Sequence, residues 1–116
     1  RRLRDIIREN VKEENIWLQA WLNVHDYDTV LDWHNHTSPY HGYIALEPQD
    51  TTTEFENWEV KNECGNIYFG HGNVRHRVVN NSHYSGKRIT IGFDVMPASL
   101  FQHNRPTKQY GAMPLL

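Results

Sequence analysis

A single cysteine, Cys64, is all the thiol chemistry this chain contains, so no internal disulfide can staple it, and a reducing, cytoplasmic setting is expected. Long apolar runs are also missing. No stretch approaches the roughly 20 residues of a membrane-spanning helix, and none reads as a signal peptide. Neither sign of charge dominates: 12 basic against 14 acidic residues leave a formal charge of -2. That balance gives no electrostatic reason to expect nucleic acid or an anionic membrane as a partner. Internal repeats and low-complexity segments are absent. An initiating methionine is absent too, and because Arg1 already sits in a helical pattern, further N-terminal sequence is expected to precede it. The length of 116 residues suits one domain, 1–116, with a single core.

What the chain has in quantity is histidine, eight residues, set within short segments of alternating polarity. Leu3, Ile6, Ile7 and Val11 fall at helical spacing and predict an amphipathic helix over 1–14. From Asn15 the period changes to two. Strands are predicted over 16–24, 30–36, 42–46, 51–60, 66–69, 74–80 and 88–95. They are separated by turn-forming clusters such as His25-Asp26-Tyr27-Asp28, Thr37-Ser38-Pro39-Tyr40 and Pro48-Gln49-Asp50. Short strands punctuated this often indicate an all-β sandwich or barrel over 15–97. Residues 98–116 carry two prolines and no strong period, and are expected to form an extended tail or covering segment.

His34 and His36, two residues apart on a predicted strand, would project from one face and could reach one metal ion. His76, on a later strand facing them across the barrel, would complete a three-histidine site with open coordination positions. Neutral imidazole is a common ligand for first-row transition metals, and open positions are what oxygen activation needs. Arg88 and Thr90 repeat the period-two pattern. Their neighbours Ile89, Ile91 and Phe93 form the apolar face of the strand, which leaves Arg88 and Thr90 on the other. If that face lines the barrel, the guanidinium offers a bidentate fork to a carboxylate and Thr90 adds a hydroxyl. Asn23 and Tyr43, on flanking strands, could contact a ligand or metal-bound water, or serve in packing. Trp33 and Tyr68 are expected in the core. His25, His71, His83 and His103 are read as ordinary histidines, and Asp26, Asp28 and Asp32 as turn and solvent-facing residues.

From Trp21 to Val95 these segments resemble the Fe(II)- and 2-oxoglutarate-dependent oxygenases, in particular a group of small bacterial and phage members. The resemblance is carried by Trp21-Leu22-Asn23-Val24, His34-Asn35-His36, Gly42-Tyr43, Gly65-Asn66-Ile67-Tyr68-Phe69, His76 and Arg88-Ile89-Thr90-Ile91-Gly92-Phe93. It implies a double-stranded β-helix (jelly roll) and an iron site at His34 and His76. It also implies that 2-oxoglutarate, as co-substrate, is anchored by Arg88 and Thr90. The implied activity is that of a dioxygenase: an undetermined prime substrate is oxidised, with release of succinate and CO2.

One departure stands out: His36 occupies the place where that superfamily usually carries Asp or Glu. It could ligate as a third histidine, which is the favoured reading, or point away and leave water or a halide in its place. It could also be the first ligand itself, with Ser38 in the third position. The cupins share the barrel and offer the alternative of a metal-binding protein or dioxygenase that does not use 2-oxoglutarate. Gly65, His76 and Asn80 keep the spacing of the second cupin motif, although His71 replaces its proline and Asn73 its glycine. His41 stands near the position of the first motif's glutamate. A non-catalytic barrel that serves as a binding module is the third possibility.

Overall fold

The computed structural model describes residues 2–13, 15–98 and 113–115. A short helix, α1 (Leu3–Asn10), precedes nine strands: β1 (Ile16–His25), β2 (Leu31–His34), β3 (Tyr40–Glu47), β4 (Thr51–Phe55), β5 (Glu59–Lys61), β6 (Ile67–His71), β7 (His76–Asn80), β8 (Arg88–Pro97) and β9 (Met113–Pro114). They form two antiparallel sheets, one of five strands in the order β6-β3-β8-β1-β9 and one of four in the order β2-β7-β4-β5. The all-β expectation therefore holds, and the short helix sits where it was predicted.

Several boundaries differ from the sequence reading, each for a physical reason. The helix stops at Asn10 rather than running to residue 14, because Val11 is already extended and its N–H closes the last turn on the Ile7 carbonyl. The single strand predicted over 51–60 is a hairpin, in which β4 and β5 pair Thr52 with Lys61 and Glu54 with Glu59. Its alternation was read as half-exposed, yet Thr51 and Thr53 are fully buried, because their hydroxyls are satisfied by Pro48 and Asn62. Of the segment expected to be an extended tail or a covering segment, residues 113–115 lie against the body. Met113 and Pro114 pair with Leu18 and Trp17, and the Leu115 carbonyl accepts from Arg8 at 2.8 Å. The remainder of that segment, 99–112 and 116, lies outside the described residues, as does His103.

Alternation along the strands sorts the two faces of the five-stranded sheet. In β1, Trp21, Asn23 and His25 face the barrel interior; in β8, Arg88, Thr90 and Gly92 do so. The opposite faces carry Ile16, Phe93 and Val95, which pack with Ile7 and Val11 into the principal apolar cluster. That core consequently lies outside the sheet, beneath α1, and the cavity between the two sheets is lined mainly by polar side chains, with Trp21, Leu31 and Val78 beside them. Trp33, expected in the core, is instead on the outer face, where the guanidinium carbons of Arg77 and Arg75 lie 5.0 and 5.7 Å from its ring centre. Tyr68 is half-buried, packed among Tyr43, Phe55 and Trp58. No helix among the described residues is long and apolar enough to cross a membrane.

Because Ile7 is 0% exposed at the centre of the cluster beneath the sheet, Ile7→Ala is expected to cost about 2–5 kcal/mol of folding stability. Urea denaturation of the variant checks this, and a loss below about 1 kcal/mol would mean that α1 is not part of the cooperative core.

Candidate metal centre

Four histidines from three stretches of chain meet between the sheets. His34 and His76 are direct cross-strand partners on β2 and β7, with ring centres 4.4 Å apart. They are thus neighbours within one sheet and do not face each other across the barrel, as the sequence reading supposed. The register of the β2–β7 pair shifts between Leu31 and His34, and this irregularity turns both of those side chains toward the same cavity. The histidine that faces them from the other sheet is His41 of β3, with its ring centre 5.6 Å from that of His76.

His36 does not share a strand with His34, because β2 ends at His34. It arrives from the following loop, which is pinned where the His36 N–H donates to the Gly72 carbonyl at 2.8 Å. Gly72 must be glycine for this approach, since a Cβ there would stand 1.8 Å from the Ser38 carbonyl oxygen. So held, the His36 ring stacks on His41 at 3.5 Å and lies 5.5 Å from both His34 and His76. The ligand atoms of His34, His36 and His76 all fall within 4.8 Å of one another. The three residues predicted as ligands are therefore brought together, though by a strand end and a loop instead of a period-two pair. The Ser38 hydroxyl is buried and has no hydrogen-bond partner.

Hydrogen bonding settles which ring nitrogen each histidine keeps free. Nδ1 of His34 donates to the Asp32 carbonyl at 2.7 Å, and Nδ1 of His76 to the Val74 carbonyl at 3.1 Å. Nδ1 of His41 donates to Oδ1 of Asp94 at 2.9 Å. Carbonyl and carboxylate oxygens only accept, so each of these Nδ1 atoms carries a proton, and Nε2 is the atom a neutral ring has left for a metal. Nε2 of His36 is buried and has no hydrogen-bond partner. Burial, and next the neighbouring His41, push His36 down to about 4; burial, opposed by the Val74 hydrogen bond, also takes His76 to about 4. Both rings are therefore neutral at neutral pH, the state in which imidazole binds a metal. The Asp32 carboxylate, a possible rival ligand, is occupied by the Trp33 N–H at 2.7 Å.

The cavity beside these rings measures about 210 Å³ and extends to Asn23, Tyr43, Thr53, Arg88 and Thr90. All four residues predicted to bind a co-substrate thus line it. Arg88 is 6% exposed, and among the described residues no carboxylate pairs with it. Among the described residues its side-chain hydrogen-bond partner is His25, whose Nδ1 accepts from Nη2 at 2.9 Å. Asn23 donates to Thr90 at 3.3 Å, and Tyr43 donates to Asn62 at 2.8 Å. Arg88 and Asp94 are six residues apart on β8, about 20 Å at the usual rise of a strand. The cavity accordingly has a histidine end and a guanidinium end.

Three participants escaped the sequence reading. His25 reads as an ordinary histidine in isolation, although the period-two set Trp21, Asn23, His25 places it on the interior face. His41 appeared only as a motif position, and Asp94 not at all. Nothing local marks Asp94, whose link to His41 spans 53 residues and exists through strand register alone.

Comparison with protein-family models gives no match, and neither does comparison with curated protein sequences. Solved structures do match. A cupin superfamily protein from Desulfitobacterium hafniense aligns over 81% of this chain and 87% of its own, with a TM-score of 0.55 and 10% identity. A cupin protein from Bacteroides fragilis aligns over 88% and 82%, with a TM-score of 0.54 and 10% identity. An RmlC-like cupin family protein with a double-stranded β-helix fold, from Methanocaldococcus jannaschii, covers 70% of each chain at a TM-score of 0.50 and 21% identity.

The fold is a double-stranded β-helix, as in these cupin structures.

His41, which the sequence sets near the glutamate position of the first cupin motif, is inside the histidine cluster. The jelly roll is also the architecture implied by the oxygenase resemblance, so the fold leaves the choice of co-substrate to the residues of the cavity.

The two lowered histidines make the metal-free protein sensitive to acid. Between the ordinary value of 6.5 and about 4, the unfolded chain takes up protons that folded His36 and His76 refuse. Their contribution is fully present above about 6.5 and is lost as pH falls toward 4. Thermal melts of chelator-treated protein should show a Tm that is level above this window and declines through it. A Tm unchanged down to pH 4 would be incompatible with buried neutral rings.

Proposed function

We propose that this protein is a metal-dependent barrel of cupin type, in which His34, His36 and His76 hold one divalent first-row transition metal and the Arg88 end receives a carboxylate of a small ligand. The observation that carries the reading is the set of imidazoles converging on one cavity, with Nδ1 tied back on His34, His76 and His41 and the buried Nε2 of His36 lacking any partner. A buried polar atom left bare is costly unless something binds it. An all-imidazole donor set without thiolate suits Fe, Cu, Ni or Zn, and a site of three protein ligands keeps positions open for small molecules. A bound redox-active metal such as Fe(II) would supply oxygen activation, as in a dioxygenase or other oxidoreductase.

The protein's own residues account for binding and orientation. Arg88, buried without a carboxylate partner, meets the cost of its desolvation when an anion arrives, and its planar fork favours a carboxylate. Thr90 adds a hydroxyl at the same end, held by Asn23. His25 keeps its Nδ1 toward Arg88 and thereby turns the guanidinium into the cavity. The volume is below the roughly 300 Å³ at which drug-sized pockets begin, so the ligand is a compact molecule.

The unpaired Arg88 beside Thr90 also supports the finer reading, a 2-oxoglutarate-dependent oxygenase in which these two residues anchor the distal carboxylate of the co-substrate. Protein purified without chelators should carry metal, and His76→Ala should lose it. Anaerobic addition of Fe(II) and then 2-oxoglutarate distinguishes the readings. A visible charge-transfer band followed by succinate formation in air supports co-substrate use; tight metal binding with neither signal supports a cupin chemistry without 2-oxoglutarate. No metal binding at all would leave only a binding module. Arg88→Ala should weaken carboxylate ligands by about 1.5–3 kcal/mol, roughly 10- to 100-fold, with metal affinity unchanged.

A further inference from the structure

Behind the histidine cluster, on the side away from the cavity, lies one carboxylate. Asp94 is opposite His41 in the β3–β8 register, on the same face of the sheet. Its Oδ1 accepts from His41 Nδ1 at 2.9 Å and stands 3.9 Å from His36 Nδ1. His36 and His41 both line the cavity, whereas Asp94 does not. A single oxygen therefore faces the Nδ1 edges of two stacked imidazoles, and their Nε2 edges are left for whatever occupies the cavity. His36, His41 and Asp94 could by themselves bring three ligand atoms within 4.8 Å. A metal placed there would have to expel the His41 Nδ1 proton, and it would be hidden from the cavity that carries Arg88.

We propose that Asp94 is a positioning residue for the metal centre: it sets the tautomer and orientation of His41, and through the His41 stack the orientation of His36, without ligating the metal itself. This rests on the metal reading of the preceding section and extends it to His41, which stacks on His36 at 3.5 Å without belonging to the ligand group of His34, His36 and His76. A carboxylate that takes the outer N–H of a ligating histidine fixes the ring and raises its basicity. Here it also supplies negative charge next to a cation that would otherwise be surrounded by neutral ligands. Among the described residues no other carboxylate is hydrogen-bonded to the cluster through a side-chain oxygen.

The test uses the whole chain and Co(II) as probe, because its visible bands report coordination. In the wild type, Co(II) titration should give saturable binding, and nitrogen-resolved NMR of the metal-free protein should show His41 protonated on Nδ1. Asp94→Asn, which retains an acceptor oxygen but lacks the charge, should bind Co(II) 10- to 100-fold more weakly with band positions preserved. Asp94→Glu should recover part of that loss. In a His41→Gln background, Asp94→Asn should have most of its effect removed, since the carboxylate acts through that ring.

If the wild type binds no Co(II), the metal reading fails and this inference fails with it. If the wild type binds and Asp94→Asn binds equally well, the metal centre stands and the role of Asp94 is overturned. Altered Co(II) bands in Asp94→Asn would make Asp94 a ligand and overturn it too. Should the variant not fold, the wild-type NMR decides: a His41 proton on Nε2 overturns the proposal.

Discussion

The antiparallel pairing of β3 with β8 is the constraint on which the rest of this structure depends. It sets His41 opposite Asp94, Gly42 opposite Phe93 and Ala45 opposite Thr90. On the inner face that register assembles the carboxylate–histidine pair behind the histidine cluster and aligns Thr90 along the same wall. On the outer face it brings Phe93 and Val95 under α1, where the apolar core is. A slip of one residue would exchange the two faces, moving Asp94 and Thr90 into the core and Phe93 into the cavity. The same hydrogen-bond ladder therefore secures stability and site together.

Placing the principal apolar cluster outside the five-stranded sheet leaves the interior mainly to polar groups. Thr51, Thr53, Asn62 and Tyr43 satisfy one another there, so that part of the interior is a closed network with rigid geometry. The histidine cluster and Arg88 are different in kind. His36 keeps a buried nitrogen without a partner, and Arg88 a buried charge without a carboxylate. Such unmet demands at opposite ends of one cavity are what separate a ligand site from a merely polar core.

Much of this was legible in the residue order. Period-two alternation located most strands, and it put Arg88 and Thr90 on the interior face because Ile89, Ile91 and Phe93 had to lie on the other. It also brought His34, His36 and His76 into one group. Yet His36 reached the group by a route that alternation does not describe, a loop clamped against Gly72. The hairpin over Thr51–Lys61 was missed because threonine at alternate positions reads as half-exposed; only knowledge of Asn62 as a partner makes those hydroxyls buriable. His25 could have been found from the Trp21, Asn23, His25 period.

By itself, then, the sequence determined the all-β class, the placement of the short helix, the inward face of β8 and the residue types available for metal and carboxylate binding. These follow from local periodicity and side-chain chemistry, which a chain displays before it folds. Tertiary structure alone decided that His34 and His76 are neighbours in one sheet, that His41 joins them from the other, and that Asp94 stands behind two imidazoles. Those relations depend on strand register and on the packing of one sheet against another. Partners separated by 53 residues have no local pattern in common.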